Sequence, residues 1–153
     1  ITDIGYAICA SPEYIAEHGS PQSPDDLADH RCLNYLHPRT GKTRDWILTI
    51  DKKQVALPVD SVFTGNDILA VHQAALSGAG VAYLTDFLVA EDVMAGTLAV
   101  LVPETVLKNV PVHVCYLASP HRSPRVTAFV DFVQERFSEI PPWSIERLLG
   151  SLR

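Results

Sequence analysis

The chain has 153 residues, 47% hydrophobic and 20% charged, which marks an ordinary soluble globular protein of one domain or two small lobes. Its 12 Lys and Arg stand against 18 Asp and Glu, a formal charge of −6 that repels a phosphate backbone, and no basic stripe compensates, so direct nucleic-acid binding is not expected. No apolar run approaches the roughly 20 residues that cross a bilayer, so no membrane partner is expected either.

In chain order, Gly5 to Ala10 reads as a strand, stopped by Ser11-Pro12, where Ser11 can cap a short helix over Glu13–His18 that ends at Gly19. Ser23-Pro24-Asp25-Asp26 repeats the device for a second short helix, with two carboxylates at its positive end. Cys32–Tyr35 is a strand and His37–Lys42 a polar loop. Trp46–Ile50 and Gln54–Pro58 then form a hairpin across Asp51-Lys52-Lys53.

Residues 62–85 carry the organising unit. The β-prone Ser61-Val62-Phe63 is followed by Thr64-Gly65-Asn66-Asp67, whose side-chain oxygens suit a helix start, so a helix is predicted from near Asn66. Ile68, Leu69, Val71, Ala75 and Leu76 supply its apolar stripe, with His72 inside it, open to burial or to a subunit contact. Gly78 suits a left-handed cap, and Val81–Leu84 follows as a strand, completing a right-handed β-α-β crossover. Open α/β sheets bind ligands beyond the carboxyl ends of their strands, which here are Thr64-Gly65-Asn66 and Tyr83-Leu84-Thr85.

A helix over Asp86–Val93 ends at Gly96, Leu98–Leu101 is a strand, and Val110–Leu117 reads as a long strand with Pro111 at its start or edge. Ser123-Pro124 opens the longest helix, with Val126, Phe129, Val130, Val133 and Phe137 at helical spacing. The tail from Pro141 has little periodic support beyond a short helix over Ser144–Leu149. Strands and helices alternate with one antiparallel hairpin, so the fold class is α/β, a mostly parallel sheet covered on both faces.

Cys9, Cys32 and Cys115 are far apart and flanked by apolar or β-prone residues, the pattern of buried thiols and not of a disulfide framework or metal site. The six His are scattered, with no carboxylate cluster beside them. No metal and no cofactor is expected, and no catalytic residues. The basic group His121, Arg122 and Arg125 reads as a solvated loop.

The residues from Ala10 to Leu33 resemble the LysR-type bacterial transcriptional regulators, in the region that binds small-molecule effectors. The segments Leu76-Ser77-Gly78-Ala79-Gly80-Val81-Ala82, Ala95-Gly96-Thr97-Leu98 and Ser123–Phe132 follow in matching order, so the similarity covers about residues 6–138. The resemblance implies a periplasmic-binding-protein-like (type 2) fold, with two lobes, two crossover strands and a ligand in the cleft. Residues 1–11 would be the first crossover strand, 12–111 the second lobe, 112–140 the return crossover and the helix that rejoins the first lobe, and 141–153 a tail. Beginning at Ile1 without an initiator Met or a leader, the chain is expected to be a processed protein or a fragment. The helix-turn-helix, and with it DNA binding, would precede it.

The resemblance also implies the effector contacts: Ser11, Thr64, Gly65 and Asn66, with Phe63, Tyr83 and Thr85 as lining. The effector would be a small metabolite, and the N–H groups of the turn suit an anion. Partners would be that effector and further copies of the chain, in a cytoplasmic dimer or tetramer. The helix from Asn66 is similar in position to the one that meets another subunit. Without its first lobe, the apolar face of the last helix should be an exposed patch around Phe129, Phe132 and Phe137. The alternative is a transporter's solute-binding protein, and a third reading is an enzyme built on a Cys with a His.

Overall fold

The structure, a computed structural model, describes residues 1–105, 107–108, 110–117, 123–137, 143–144 and 150. A five-stranded sheet forms its centre, in the spatial order β6 (Ser61–Gly65), β3 (Cys32–Tyr35), β7 (Val81–Thr85), β2 (Tyr6–Ala10) and β8 (Ala99–Leu101). β3 runs parallel to both β6 and β7, whereas β2 is antiparallel to β7 and β8. Four strands therefore share one direction, and β2 alone is reversed.

Alternation along the strands sends side chains to two cores. On one face, Tyr6, Ile8, Ala10, Val81 and Tyr83 pack with Tyr14 of α1 (Pro12–His18), Leu27, and Trp46 and Leu48 of the hairpin β4 (Trp46–Ile50) and β5 (Lys53–Leu57). On the other, Ala7, Cys9, Leu33, Ala82 and Leu84 meet α2 (Ile68–Leu76) and α3 (Asp86–Ala95). Trp46 is 1% exposed, and truncating such a side chain costs about 3–5 kcal/mol, so the hairpin is a structural cover of the sheet. Its turn is the two residues Asp51 and Lys52, both at positive φ, one residue tighter than expected.

Local signals explain most boundaries. Ser11 Oγ accepts the Tyr14 N–H at 3.2 Å and Pro12 opens α1. The second short helix is a 3-10 helix, Pro24–Asp29. There the Asp26 carboxylate turns back to the Gln22 and Ser23 N–H groups, at 2.7 and 3.0 Å, which lowers its pKa. α2 begins at Ile68 and not at Asn66, because the Asp67 carboxylate takes the Leu69 N–H at 2.9 Å and makes Asp67 the cap. Gly78 takes the left-handed angle expected of it, φ 79°.

The segment expected as one crossover strand, 1–11, is two strands. β1 (Thr2–Ile4) pairs antiparallel with β9 (Val110–Val112), while Tyr6–Ala10 lies inside the sheet. The strand predicted over Val110–Leu117 is correspondingly short: β1 offers three partners, and Thr2 opposite Val112 is the last of them. α4 (Pro124–Arg136) buries Val130, with Val126, Val133 and Phe137 half-buried, so the seam runs along these four positions. Phe129 and Phe132, 59% and 63% exposed, stand outside it, and Phe137 packs edge-on against Trp143. The predicted basic group at His121 and Arg122, and most of the predicted tail helix, lie outside the described residues.

Candidate functional site

Strand direction distinguishes the two edges of the sheet. β6, β3, β7 and β8 end at one edge, and the reversed β2 begins there, since Tyr6 pairs with Thr85 and Cys9 with Ala82. The β1–β9 pair leaves from this same edge. The Gly5 N–H donates to Asp86 Oδ2 at 2.9 Å, the Asp86 N–H to the Gly5 carbonyl at 3.0 Å, and the Tyr6 N–H to the Leu107 carbonyl at 2.9 Å. Asp86 is buried, and loss of solvation raises its pKa against the lowering pull of the Gly5 and Phe87 N–H groups.

Of the predicted site residues, the structure gathers Thr64, Gly65, Asn66, Tyr83 and Thr85 at this carboxyl edge. Thr64 and Asn66 are exposed, so the corner is not walled off by packed side chains. Thr64 lies opposite Asn34 on the hairpin side of the sheet, and Tyr83 and Thr85 share that side by alternation. Thr85 stands at the cap position of α3 without giving its hydroxyl to the helix. Tyr83 is buried, and its hydroxyl donates to the Ile47 carbonyl at 2.7 Å, which leaves the ring as a wall. Gly65 is the last residue of β6 and not itself a turn.

Two predicted residues fall elsewhere. Phe63 belongs to the opposite face: a side chain on Gly65 would meet its ring at 3.3 Å and Val71 of α2 at 3.5 Å. Ser11 leaves β2 at the opposite edge, because β2 is antiparallel, and it is fully buried with its oxygen spent on α1. The charge pattern changes too, since the Asp67 carboxylate already occupies the start of α2. The donors that remain for an anion belong to the exposed Thr64 and Asn66 at the end of β6 and to a residue that sequence reasoning passed over.

That residue is Arg44. Its backbone is pinned at the end of β3, where its N–H donates to the Tyr35 carbonyl at 3.1 Å and its carbonyl accepts from Asn34 Nδ2 at 2.9 Å. The other end of the buried Asn34 amide accepts the Tyr35 N–H at 2.8 Å. The guanidinium donates to Tyr6 Oη at 2.7 Å and lies 4.7 Å from the Tyr6 ring centre. Tyr6 stacks on Tyr83 at 4.7 Å, and Tyr83 on Trp46 at 5.6 Å. An exposed Arg in a polar loop without periodicity gave no signal, because its three partners come from β2 and β3.

Other candidate chemistry resolves into structure. His72 is buried, with Nε2 2.8 Å from Asp92 Oδ2, so its first partner is within the lobe. Burial pushes the Cys9 thiol up to about 12 and the Cys32 thiol up to about 11, which removes both as nucleophiles near neutral pH. Cys115, expected to be buried, is exposed. His30 faces Tyr14 Oη at 3.0 Å, while Cys32 Sγ donates to the Leu27 carbonyl. Among the described residues no three metal-ligating side chains come together, and no helix is long and apolar enough to cross a membrane.

The strand ends of this α/β sheet thus open beside a separate antiparallel pair, β1 and β9. The LysR substrate binding domain family matches residues 2–138, and the chain belongs to that family. It is 35% identical over 134 residues to the transcriptional regulator CrgA of Neisseria meningitidis, covering 87% of this chain and 44% of that one. It is 31% identical over 140 residues to the regulator DmlR of Escherichia coli, covering 91% and 45%. The chain thus spans less than half the length of these relatives. Among solved structures, the CrgA regulatory domain matches with a TM-score of 0.65 at 28% identity, covering 88% of this chain and 65% of that one. The AphB regulatory domain of Vibrio vulnificus shares the fold, with a TM-score of 0.67 at 24% identity and coverage of 89% and 66%. The fold is the periplasmic-binding-protein-like fold of LysR regulatory domains.

Proposed function

We propose that this chain is the ligand-sensing part of a cytoplasmic LysR-type transcriptional regulator and performs no catalysis. The carboxyl edge of the sheet forms one wall of a cleft for a small, anionic metabolite. The observation that carries this reading is the coincidence of two things at one edge: the strand ends with exposed Thr64 and Asn66, and the departure of β1 and β9 beside Tyr6. Paired connecting strands are where a second lobe would hinge, so a ligand resting on this edge would touch both lobes and bias their arrangement. On this reading β1 and β9 are the two crossovers, residues 5–108 the complete lobe, and α4 the return to a first lobe that lies outside this chain.

DNA contact would come from a helix-turn-helix outside this chain. Oligomer contacts fit the outer side of α2, where Leu69 is 55% exposed, together with the free edge of β6, where Val62 is 56% exposed. The exposed Phe129 and Phe132 on α4 would then be covered by the first lobe. A transporter's solute-binding protein would share the fold, but the relatives matched over most of the chain are named as transcriptional regulators.

The test is replacement of Asn66 with Leu in the intact regulator, with metabolite-dependent transcription as the readout and thermal melting as the control. A lost response with an unchanged melting temperature is expected. An unchanged response would remove Asn66 from the site.

A further inference from the structure

We propose that Arg44 is the residue that anchors the effector's charge, and that the effector class is a small organic carboxylate; this rests on the cleft reading above and gives its anion a partner. The guanidinium carries five N–H donors in a planar fork, and among the described residues its one side-chain hydrogen bond is to Tyr6 Oη. Among the described residues no carboxylate lies within ion-pair distance of it, in a chain with a net charge of −6. Other described cations also lack an acidic partner, so what sets Arg44 apart is its seat on the Tyr6 ring and hydroxyl. Here it is also held in place at four points: two backbone bonds to Tyr35 and Asn34, the Tyr6 hydroxyl, and the Tyr6 ring.

The ring is itself fixed by the Tyr83 and Trp46 stack, so the fork is oriented before any ligand arrives. That order is what a two-pronged contact with a carboxylate requires. The position suits the task as well. Tyr6 is the first residue of β2, just after β1, and Thr64 and Thr85 share its face of the sheet, so an anion held on Arg44 sits beside the connecting strands on the face that carries both hydroxyls.

The experiment is titration of the intact protein with benzoate, succinate, pyruvate and inorganic phosphate, followed by calorimetry and thermal shift, for wild type, R44Q, R44K, Y6F, N66L and, as a charge control in the neighbouring loop, R39Q. At least one carboxylate is expected to bind. R44Q should weaken it roughly tenfold or more, the loss of a charge-assisted hydrogen bond, while R44K and Y6F keep part of the affinity and R39Q all of it. Carboxylate binding unchanged in R44Q but lost in N66L would overturn the role of Arg44 and leave the cleft reading standing. Binding that neither variant alters would overturn both. Phosphate alone binding, or none of the four, would overturn the carboxylate assignment.

Discussion

The two edges of the central sheet are built from similar residues and behave in opposite ways. At the amino edge Ser11, Gly78 and Gly80 crowd together: Ser11 is fully buried, and a side chain on Gly80 would stand 2.0 Å from the Arg31 carbonyl oxygen. At the carboxyl edge Thr64, Gly65 and Asn66 form an equally small and polar group, yet Thr64 and Asn66 are exposed and the nearest obstacle to a side chain on Gly65 is the Phe63 ring at 3.3 Å. One edge is closed by backbone and the other is open beside the connecting strands. Small polar residues at strand ends therefore stay open to solvent only where the sheet direction leaves them uncovered.

The sharpest way to break this comparison is a matched pair of glycine substitutions. Gly80→Ala puts a methyl group against a carbonyl that already accepts the Val81 N–H at 2.8 Å, so neither partner can retreat without losing the β3–β7 junction. A loss of about 3 kcal/mol is expected by urea unfolding. Gly65→Ala meets the Phe63 ring, which can swing aside, and Val71 at the ordinary contact distance of 3.5 Å, and a change within about 1 kcal/mol is expected. Equal losses for the two would show that the edges do not differ in packing.

A second contrast is chemical. Cys9 and Cys32 lie in the closed interior, and burial holds their thiols protonated up to about 12 and about 11 against an ordinary 9.0. The unfolded chain therefore sheds these protons first as pH rises, and folding stability falls through that window. By about pH 10 each thiol should have cost on the order of 1 kcal/mol. Tyr83, whose pKa burial also raises, extends the loss at higher pH. Unfolding midpoints measured under reducing conditions from about pH 8 to about pH 10 should fall steadily for wild type and about half as steeply for Cys9→Ala. An equal slope in the variant would show that Cys9 ionises as freely folded as unfolded. Ser11→Ala, which removes the cap of α1, is expected to cost about 1 kcal/mol and to leave ligand response intact.

Much of this arrangement is legible in the sequence because its signals are local. Ser-Pro at two helix starts, Gly78 at a helix end, period-two apolar strands and the β-α-β unit around α2 all sit within a few residues of the feature they specify. The reversed direction of β2 is not local. It is fixed by pairing with β7, some 75 residues away in sequence, and it is what sends Ser11 to the edge opposite Thr64 and Asn66. The same holds for Arg44, whose role is defined by Tyr6, Tyr35 and Asn34 across two strands, and for His72, whose partner is a carboxylate on α3. Capping chemistry lies between these cases: Asn66 and Asp67 are both good caps, and only the geometry shows that Asp67 took the position and left Asn66 exposed.

The smallest expected change in stability comes at the open edge, and it is the one that separates a binding surface from a structural one. Thr64→Val keeps the β-branched shape that suits an edge strand and removes only a hydroxyl that faces solvent. Unfolding free energy should stay within about 0.5 kcal/mol of wild type. If the hydroxyl meets an effector, its removal leaves a bound polar group unpaired, and the dose of metabolite needed for a transcriptional response should rise by roughly tenfold. Ser11→Ala should show the reverse pattern, a measurable loss of stability with an unchanged dose. A dose shift in Ser11→Ala that matched the one in Thr64→Val would return both edges to the same standing, because a buried cap on the far side of the sheet has no route to the ligand except through the fold itself.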